Sequence, residues 1–485
     1  MEQYTITFLP EYKTVTAQSG ETLLQVQIRA GLHPDAPCGG KGTCGKCTVL
    51  VDGQQVLACQ TMVDRDMTVT LPETGENRIL TGGLATQCQP DGANRYALAF
   101  DIGTTTVVCY LLDGISGCLL AQASTMNPQA QFGADVISRI QEVLTTHTDA
   151  LKISIRKTLA ELCGQVCSQA GIAPADVGTA AVVGNTAMHH LLLGIDPSPL
   201  VTPPYMPGVF EALELEDREL LPIGGSVRLL PNIAGFVGGD TVGCMAALRF
   251  DRLEELSLLI DIGTNGEMVL GDKNRRIACS TAAGPAFEGA KISCGMRGAA
   301  GAVDHVWLED GQVRWHVIGE DTAVGLCGSG LLDLVAVLLE LGIVDESGRL
   351  EEKVYKLGDT EVTLTQKDIR EVQLAKAAIR AGIELLSEQL GTTLEQIQKV
   401  YLAGAFGNYL DPASACRIGM IPPVLEERIH PIGNAAGEGS KLSALSGEEF
   451  EYARHLAGGT EFLELASLPE FQDCFVDALE FEEDA

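Results

Sequence analysis

The sequence predicts a multidomain protein of mixed α+β and α/β class: a small strand-rich unit around clustered cysteines, then a large duplicated α/β unit. Three observations predict this. Cys38, Cys44, Cys47 and Cys59 read C-x5-C-x2-C-x11-C, and glycines crowd the first three. Further on, an apolar strand running into Asp-Ile-Gly-Thr occurs twice, at Asp101 and at Asp261. The balance of charge bounds the rest, with 33 Lys plus Arg against 65 Asp plus Glu and a formal net charge of −32.

In the first unit, residues 4–8 and 13–17 alternate apolar and polar side chains like the strands of a hairpin. Ser19-Gly20-Glu21-Thr22 opens a short helical pattern over 23–28 that ends at Gly31. After the cysteine loop come a strand at 48–51, an Asp52-Gly53 hairpin turn, a return strand reaching Cys59, and a last strand at 67–71. Strand, strand, helix, metal loop and hairpin is the order of a β-grasp ferredoxin, here placed at 1–73. The cysteine spacing is close to that by which plant-type ferredoxins hold a [2Fe–2S] cluster on four thiolates. The glycines let backbone N–H groups approach the sulfurs. Zinc usually takes two C-x2-C pairs, and this region has one, Cys44 with Cys47. Cys88 is the rival for fourth ligand, but it lies in a Gly-, Gln- and Asp-rich stretch read as a linker over 74–95, so Cys59 is favoured.

The acidic balance argues against nucleic acid and anionic membranes as partners, because phosphate binding needs basic patches. The apolar stretch at 331–341 contains Asp333 and Glu340 and is too short to span a bilayer. Without a visible signal peptide, the fifteen cysteines read as reduced thiols or metal ligands, and the expected location is the cytoplasm. Cys163 and Cys167 share one helix face and read as core thiols. His189 and His190 point to different helix faces, against a joint metal site, and Asp135 with Arg139 reads as a solvated ion pair.

The repeated unit has legible chemistry. A strand ends in Asp, a Gly-Thr turn follows, and a second strand returns. Backbone N–H groups and hydroxyls of such a turn can wrap phosphate oxygens. The carboxylate at the strand end can hold a hydrated Mg²⁺. Two copies on apolar strands suggest a duplicated domain.

At this point the region resembles the superfamily of acetate and sugar kinases, heat-shock chaperones and actin, in which two such hairpins clamp ATP phosphates between two domains. The implied fold is a duplicated actin-like, heat-shock chaperone-like ATPase over 96–485: a first half at 96–250, a second at 251–430, and a return to the first half at 431–485. The resemblance places phosphate contacts on Asp101, Gly103, Thr104 and Thr105, and on Asp261, Gly263, Thr264, Asn265 and Gly266. The adenosine-binding turn of the superfamily resembles residues 400–407, with Gly404, Ala405, Phe406 and Gly407. Asp240 matches an acid that stands near Mg²⁺ and the attacking water, although it could merely cap its helix. Residues 433–439 look like the start of a second connecting helix, and 325–330 open a helix able to offer N–H groups to nucleotide.

A ferredoxin alone needs no ATP, so the fusion makes sense if hydrolysis drives an uphill electron transfer. Plant-type clusters sit near about −400 mV, and each ~59 mV of one-electron mismatch costs tenfold in equilibrium constant. The combination resembles the reductive activators of corrinoid-dependent methyltransferase systems, through Asn127-Pro128-Gln129, 132–135, 261–267 and 327–330. That resemblance implies one-electron rescue of Co(II) corrinoid to Co(I), a corrinoid protein as partner, an upstream low-potential electron donor, and a possible homodimer. Some members carry an extra domain between ferredoxin and ATPase, where this chain has a short linker. Alternatives from other classes are an ATP-dependent donor to another metalloenzyme, a small-molecule kinase with a redox-sensing domain, and a non-enzymatic nucleotide-dependent binding module.

Overall fold

Alternation along β1 (Gln3–Leu9) buries Ile6 and Phe8 on one face and exposes Thr5 on the other. The computed structural model describes residues 3–10, 12–30, 32, 34, 36, 40, 42, 47–71, 82–320 and 322–482, with the backbone alone for Glu320 and Ala405. β1 runs antiparallel to β2 (Lys13–Gln18) and parallel to β5 (Met67–Thr70), while β3 (Thr48–Val51) and β4 (Gln54–Leu57) form the hairpin at Asp52-Gly53. The order β2-β1-β5-β3-β4 makes one five-stranded sheet. Against it packs α1 (Leu23–Arg29), which buries Leu23, Leu24 and Val26. The Thr22 hydroxyl accepts from the Gln25 N–H and the Gln25 side chain returns to Thr22, a reciprocal cap worth about 1 kcal/mol.

The duplication is visible in strand topology. In the first six-stranded sheet, β6 (Tyr96–Ile102) is antiparallel to β7 (Thr106–Asp113), which pairs with β8 (Leu119–Met126). On its other side β6 runs parallel to β9 (Val177–Gly184), and β11 (Ser226–Leu229) and β10 (Leu213–Leu215) complete the sheet. In the second sheet, β12 (Ser257–Ile262) is antiparallel to β13 (Gly266–Gly271), which pairs with β14 (Arg276–Thr281). β12 likewise runs parallel to β20 (Lys399–Ala403), which is followed by β21 (Ile429–Gly433). Each Asp-Ile-Gly-Thr turn therefore sits at the same corner of its sheet. Two small sheets, β15 (Ala302–Glu309) with β16 (Gln312–Val317) and β17 (Gly325–Leu326), and β18 (Val354–Lys356) with β19 (Thr363–Thr365), are inserted between β14 and β20.

Three helices, α2 (Val136–Thr146), α3 (Ala150–Ala170) and α4 (Thr186–Leu193), bury one face of the first sheet. Cys163 and Cys167 lie in that core as the sequence suggests. On the outer side of the second sheet lie α6 (Gly328–Glu340), α7 (Gln366–Leu390) and α9 (Pro412–Arg417), while α8 (Gly404–Tyr409) continues directly from β20. A separate core joins the inner faces of both sheets through α5 (Gly239–Leu248), α10 (Ala435–Leu445) and α11 (Gly447–Gly458). Here α5 and α10 touch backbone to backbone: a Cβ on Gly439 would stand 2.1 Å from the Gly243 carbonyl oxygen. Only glycine permits that approach.

Two boundaries differ from expectation. The return to the first half ends with α11, because β22 (Glu461–Phe462) pairs with β14 of the second sheet and α12 (Pro469–Asp477) lies against the second-half core. The later part of the expected linker is not free either. Gly83 bridges to Gly433, the Leu84 N–H donates to Ile432, and Thr86 bonds both Glu438 and the Ala247 carbonyl. Residues from 82 onward are thus strapped over β21, α10 and α5, which satisfies backbone groups that a free linker would leave to water. Cys88 packs against this inner core, and burial pushes its thiol up to about 11.

Candidate functional site

The two repeated hairpins face each other across a cavity of about 300 Å³. In the first, the Gly103 N–H donates to the Thr106 carbonyl at 2.9 Å, which closes the turn. Asn127, buried at 1% exposure, supports it from below by donating to the Gly103 carbonyl at 2.8 Å. Arg139 does the same for Thr104, whose carbonyl accepts from its Nη2 at 2.6 Å. The expected solvated Asp135–Arg139 ion pair is therefore corrected: Asp135 caps α2 through the Ser138 N–H, and the fully buried Arg139 turns inward to the hairpin. The Thr104 hydroxyl accepts from Asn185 Nδ2 at 3.2 Å. In the second hairpin the Gly263 N–H donates to the Asn265 carbonyl at 2.9 Å. Glu288, in a short 3₁₀ turn (Pro285–Glu288), joins the two: its Oε2 accepts from the Thr105 hydroxyl at 2.7 Å and its Oε1 from the Thr264 hydroxyl at 2.6 Å.

Carboxylates line the floor. Asp101, Asp240, Asp261 and Glu267 all border the cavity. The three aspartates are partly open because they face the cavity, but protein surrounds them on their other sides. Burial pushes Asp101 up to about 6, even though Asn434 Nδ2 donates to it at 2.8 Å. Burial, reinforced by the Asp101 charge, raises Asp261 to about 6 as well, against a weak thiol donor from Cys244 at 3.9 Å. Asp240, in the first turn of α5, rises to about 7 through burial and the facing Asp261. Burial and then Asp240 and Asp261 push Glu267 upward too. The pseudo-symmetry is informative: Asn434 opens α10 beside Asp101, and Asp240 opens α5 beside Asp261. One connecting helix brings an amide to its hairpin and the other a carboxylate.

The turn after β20 borders the same cavity through Gly404 and Phe406. Gly404 has φ +84°, and a Cβ there would stand 2.8 Å from Asp261 Oδ1, so this glycine leaves room for the carboxylate. Phe406 stacks on Phe287 with centroids 4.7 Å apart and planes at 2°. Gly328, at the start of α6, also borders the cavity, as do Cys327 and Ser329. Two expected contacts do not reach it. Gly266 begins β13 and is tucked toward α7, where a Cβ would meet Thr281 and Ile379, and Gly407 packs back on Leu402. Ala405 lies on the backbone of α8 between Gly404 and Phe406. Glu288, Glu267, Asn434 and Arg297 border the cavity although sequence reasoning assigned them no role. Only Glu267 carried a local signal, since it lies in the second repeat itself.

Of the four cysteines, Cys47 and Cys59 are buried at the ends of the β3–β4 hairpin, with exposures of 4% and 6%, and the Ala58 N–H donates to the Cys47 carbonyl at 2.8 Å. Cys38 and Cys44 lie outside the described residues. The surroundings fit a sulfur-bound cluster. Gln60 Nε2 stands 3.7 Å from Cys59 Sγ, a donor aimed at sulfur. Gly40 and Gly42 have positive φ, and a Cβ at Gly42 would come within 2.7 Å of that Gln60 amide. Bound there, an iron–sulfur cluster supplies single electrons.

Comparison with known proteins matches three successive segments of the chain. Residues 6–68 match a 2Fe-2S iron-sulfur cluster binding domain, 96–253 the RACo middle region, and 255–485 the C-terminal domain of RACo, the ASKHA domain. The corrinoid activation enzyme RamQ of Eubacterium limosum is 39% identical over 413 residues, covering 79% of this chain and 69% of that one. The chain belongs to the RACo family of corrinoid activators. A [Co(II) methylated amine-specific corrinoid protein] reductase of Methanosarcina barkeri is 29% identical over 364 residues, covering 67% of this chain and 66% of its own. A solved structure of a reductive activator for corrinoid, iron-sulfur protein superposes with TM-score 0.71 at 29% identity, covering 99% of this chain and 98% of that one. As a RACo-family member the chain joins a ferredoxin-type domain to an actin-like ATPase domain. The boundary between the middle region and the ASKHA domain, 253 to 255, falls between the two six-stranded sheets, so each family segment carries one of the repeated hairpins. No helix among the described residues is long and apolar enough to cross a membrane.

Proposed function

We propose that this chain uses ATP to drive one-electron reduction of a partner protein's corrinoid, returning inactive Co(II) to Co(I) in a methyltransferase system. The observation that carries the reading is the joining of two facing Gly-Thr hairpins, with their aspartates, to a four-cysteine ferredoxin loop in a single RACo-family chain. Cys38, Cys44, Cys47 and Cys59 would hold the cluster, which would supply one electron for each cobalt reduced and draw its replacement from an upstream low-potential donor. The named relatives act on corrinoid proteins, and family membership supports a corrinoid protein as the acceptor. The expected setting is cytoplasmic, with a homodimer as a possible assembly.

In the cavity, the turns at Gly103-Thr104-Thr105 and Gly263-Thr264-Asn265 present N–H groups and hydroxyls to the phosphates, and Phe406 with Gly404 borders the adenosine end. Asp101 and Asp261 would hold Mg²⁺, which would neutralise part of the phosphate charge. Asp240, with its carboxylate raised to about 7, orients the attacking water and accepts its proton.

The test mixes reduced protein, ATP, Mg²⁺ and a Co(II) corrinoid protein under anaerobic conditions and follows Co(I) optically. Co(I) should form with ATP and fail to accumulate without it. Asp261→Ala should keep a reducible cluster yet not sustain the conversion. Equal Co(I) formation in the absence of ATP would leave only a ferredoxin with a regulatory nucleotide site.

A further inference from the structure

Arg297 is the one Lys, Arg or His side chain among the described residues that border the cavity. Asp101, Asp240, Asp261, Glu267, Glu288 and Asp304 line the same cavity. Arg297 is half-buried, and an arginine in such company ordinarily pairs with a carboxylate by Coulomb attraction. Arg297 does not. Its hydrogen-bond partner is the Met126 thioether, 3.6 Å from Nη1, and no carboxylate lies within ion-pairing distance among the described residues. Thioether sulfur is a weak acceptor, so the guanidinium keeps nearly all of its donor capacity unspent.

Its position gives that capacity a use. Arg297 is carried by the second half, on a segment fixed by the Met296 N–H donating to the Leu326 carbonyl at 2.8 Å. Yet it reaches Met126, which pairs with Thr106 at the end of the first hairpin. It therefore spans the cleft beside the turn of Thr104 and Thr105. Arg139, the nearby arginine under the same hairpin, is committed to the Thr104 and Gly133 carbonyls and cannot serve a ligand. A triphosphate entering this carboxylate-lined space needs positive charge beyond a divalent ion. The planar guanidinium is suited to paired phosphate oxygens.

We propose that Arg297 binds the outer phosphates of ATP across the cleft, a contact that rests on the nucleotide reading above. The test is equilibrium binding of Mg²⁺-ATP and of AMP to the full anaerobic chain, comparing wild type with Arg297→Ala and Arg297→Lys. Arg297→Ala should lose ATP affinity about 10- to 100-fold, the usual scale for a hydrogen-bonded charge. AMP affinity should stay within about threefold, since AMP lacks the outer phosphates. Arg297→Lys should fall between, keeping charge but losing the fork. The cluster absorbance serves as a fold control in each variant. ATP affinity within about threefold of wild type in Arg297→Ala, or equal losses for ATP and AMP, overturns the proposal. A wild-type chain that binds AMP and ATP alike, or neither, overturns the nucleotide reading itself and this contact with it.

Discussion

Glu288 and Thr105 belong to opposite halves of the cleft and are 183 residues apart, yet the carboxylate accepts from the hydroxyl at 2.7 Å while its other oxygen holds Thr264 at 2.6 Å. One hydroxyl of each turn is thus already satisfied by one carboxylate. On the nucleotide reading proposed above, entering phosphates would take these donors from Glu288 and meet its charge. Glu288→Gln removes that charge and one of the strong acceptors, so ATP affinity should rise about tenfold, on the scale of one hydrogen bond to a charged group. Isothermal titration on the anaerobic protein checks this. A fall in affinity would mean that Glu288 supports the bound nucleotide.

Asp240 offers a separation of binding from chemistry. Asp240→Asn should lower the ATP turnover number about a hundredfold or more, the range for loss of a positioned base, with little change in nucleotide affinity. Steady-state kinetics beside direct binding reads the split. Equal losses in both would make Asp240 a structural element of α5.

The same carboxylates set a pH dependence. Asp101 and Asp261 are raised to about 6 and Asp240 to about 7, chiefly by burial. Between about pH 4, where free aspartate ionises, and those values, the folded chain holds protons that the unfolded chain has released. Stability contributed by these groups is therefore full below about pH 4 and is lost as pH rises through 6 to 7. The thermal midpoint of the nucleotide-free protein should fall across that window. Asp240→Asn, neutral at every pH, should flatten the upper part of the fall.

Cluster content should depend on Cys38, Cys44, Cys47 and Cys59 and on no other cysteine. Cys44→Ala or Cys47→Ala should abolish the reduced-cluster paramagnetic signal after anaerobic purification, with iron and sulfide lost together. Cys88→Ala should leave it intact, because Cys88 packs with α5 and α10. Zinc in place of iron in the wild type would defeat the electron-transfer reading.

Gly328→Ala tests the proposed adenosine end. A Cβ there would stand 2.1 Å from the Phe287 carbonyl oxygen and 2.8 Å from Phe406 Cδ2. The backbone contact cannot yield cheaply, so stability should drop by about 1–3 kcal/mol, as in other overpacked sites. ATP affinity should fall with it. Phe406→Ala, which creates no clash, should lower affinity for both ATP and AMP while sparing the fold.

What the sequence made legible were short local patterns whose chemistry stays within a few residues. The two hairpins qualify because strand, aspartate and turn are contiguous, and the second copy corroborates the first. Glu288, Arg297 and Asn434 were not legible. Each acts on a residue far along the chain, as Asn434 does on Asp101 from 333 residues away, and the helix start read at 433–439 does not name the partner of Asn434. Arg139 shows the opposite failure. Its spacing from Asp135 mimics a surface pair, but Asp135 is spent on a helix cap and Arg139 on a carbonyl beneath the hairpin. Gly266 follows the phosphate-turn pattern letter by letter, yet its local neighbours are Thr281 and a helix, which no hairpin signature encodes.

The strap at residues 82–91 shortens the covalent reach between the ferredoxin sheet and the ATPase body. Counted from sequence, the ferredoxin unit hangs on 22 residues, 74 to 95, but the chain is already fastened to β21 at Gly82 and Gly83. Between Leu71 at the end of the sheet and Gly82 there remain eleven peptide steps, at most about 40 Å when drawn straight. The ferredoxin sheet is therefore joined within roughly half the reach that the residue count alone would allow. Its anchor also meets Asn434, whose N–H donates to the Gly82 carbonyl and whose side-chain amide donates to Asp101. A displacement of α10 would carry with it the point at which the cysteine-bearing unit joins the ATPase body.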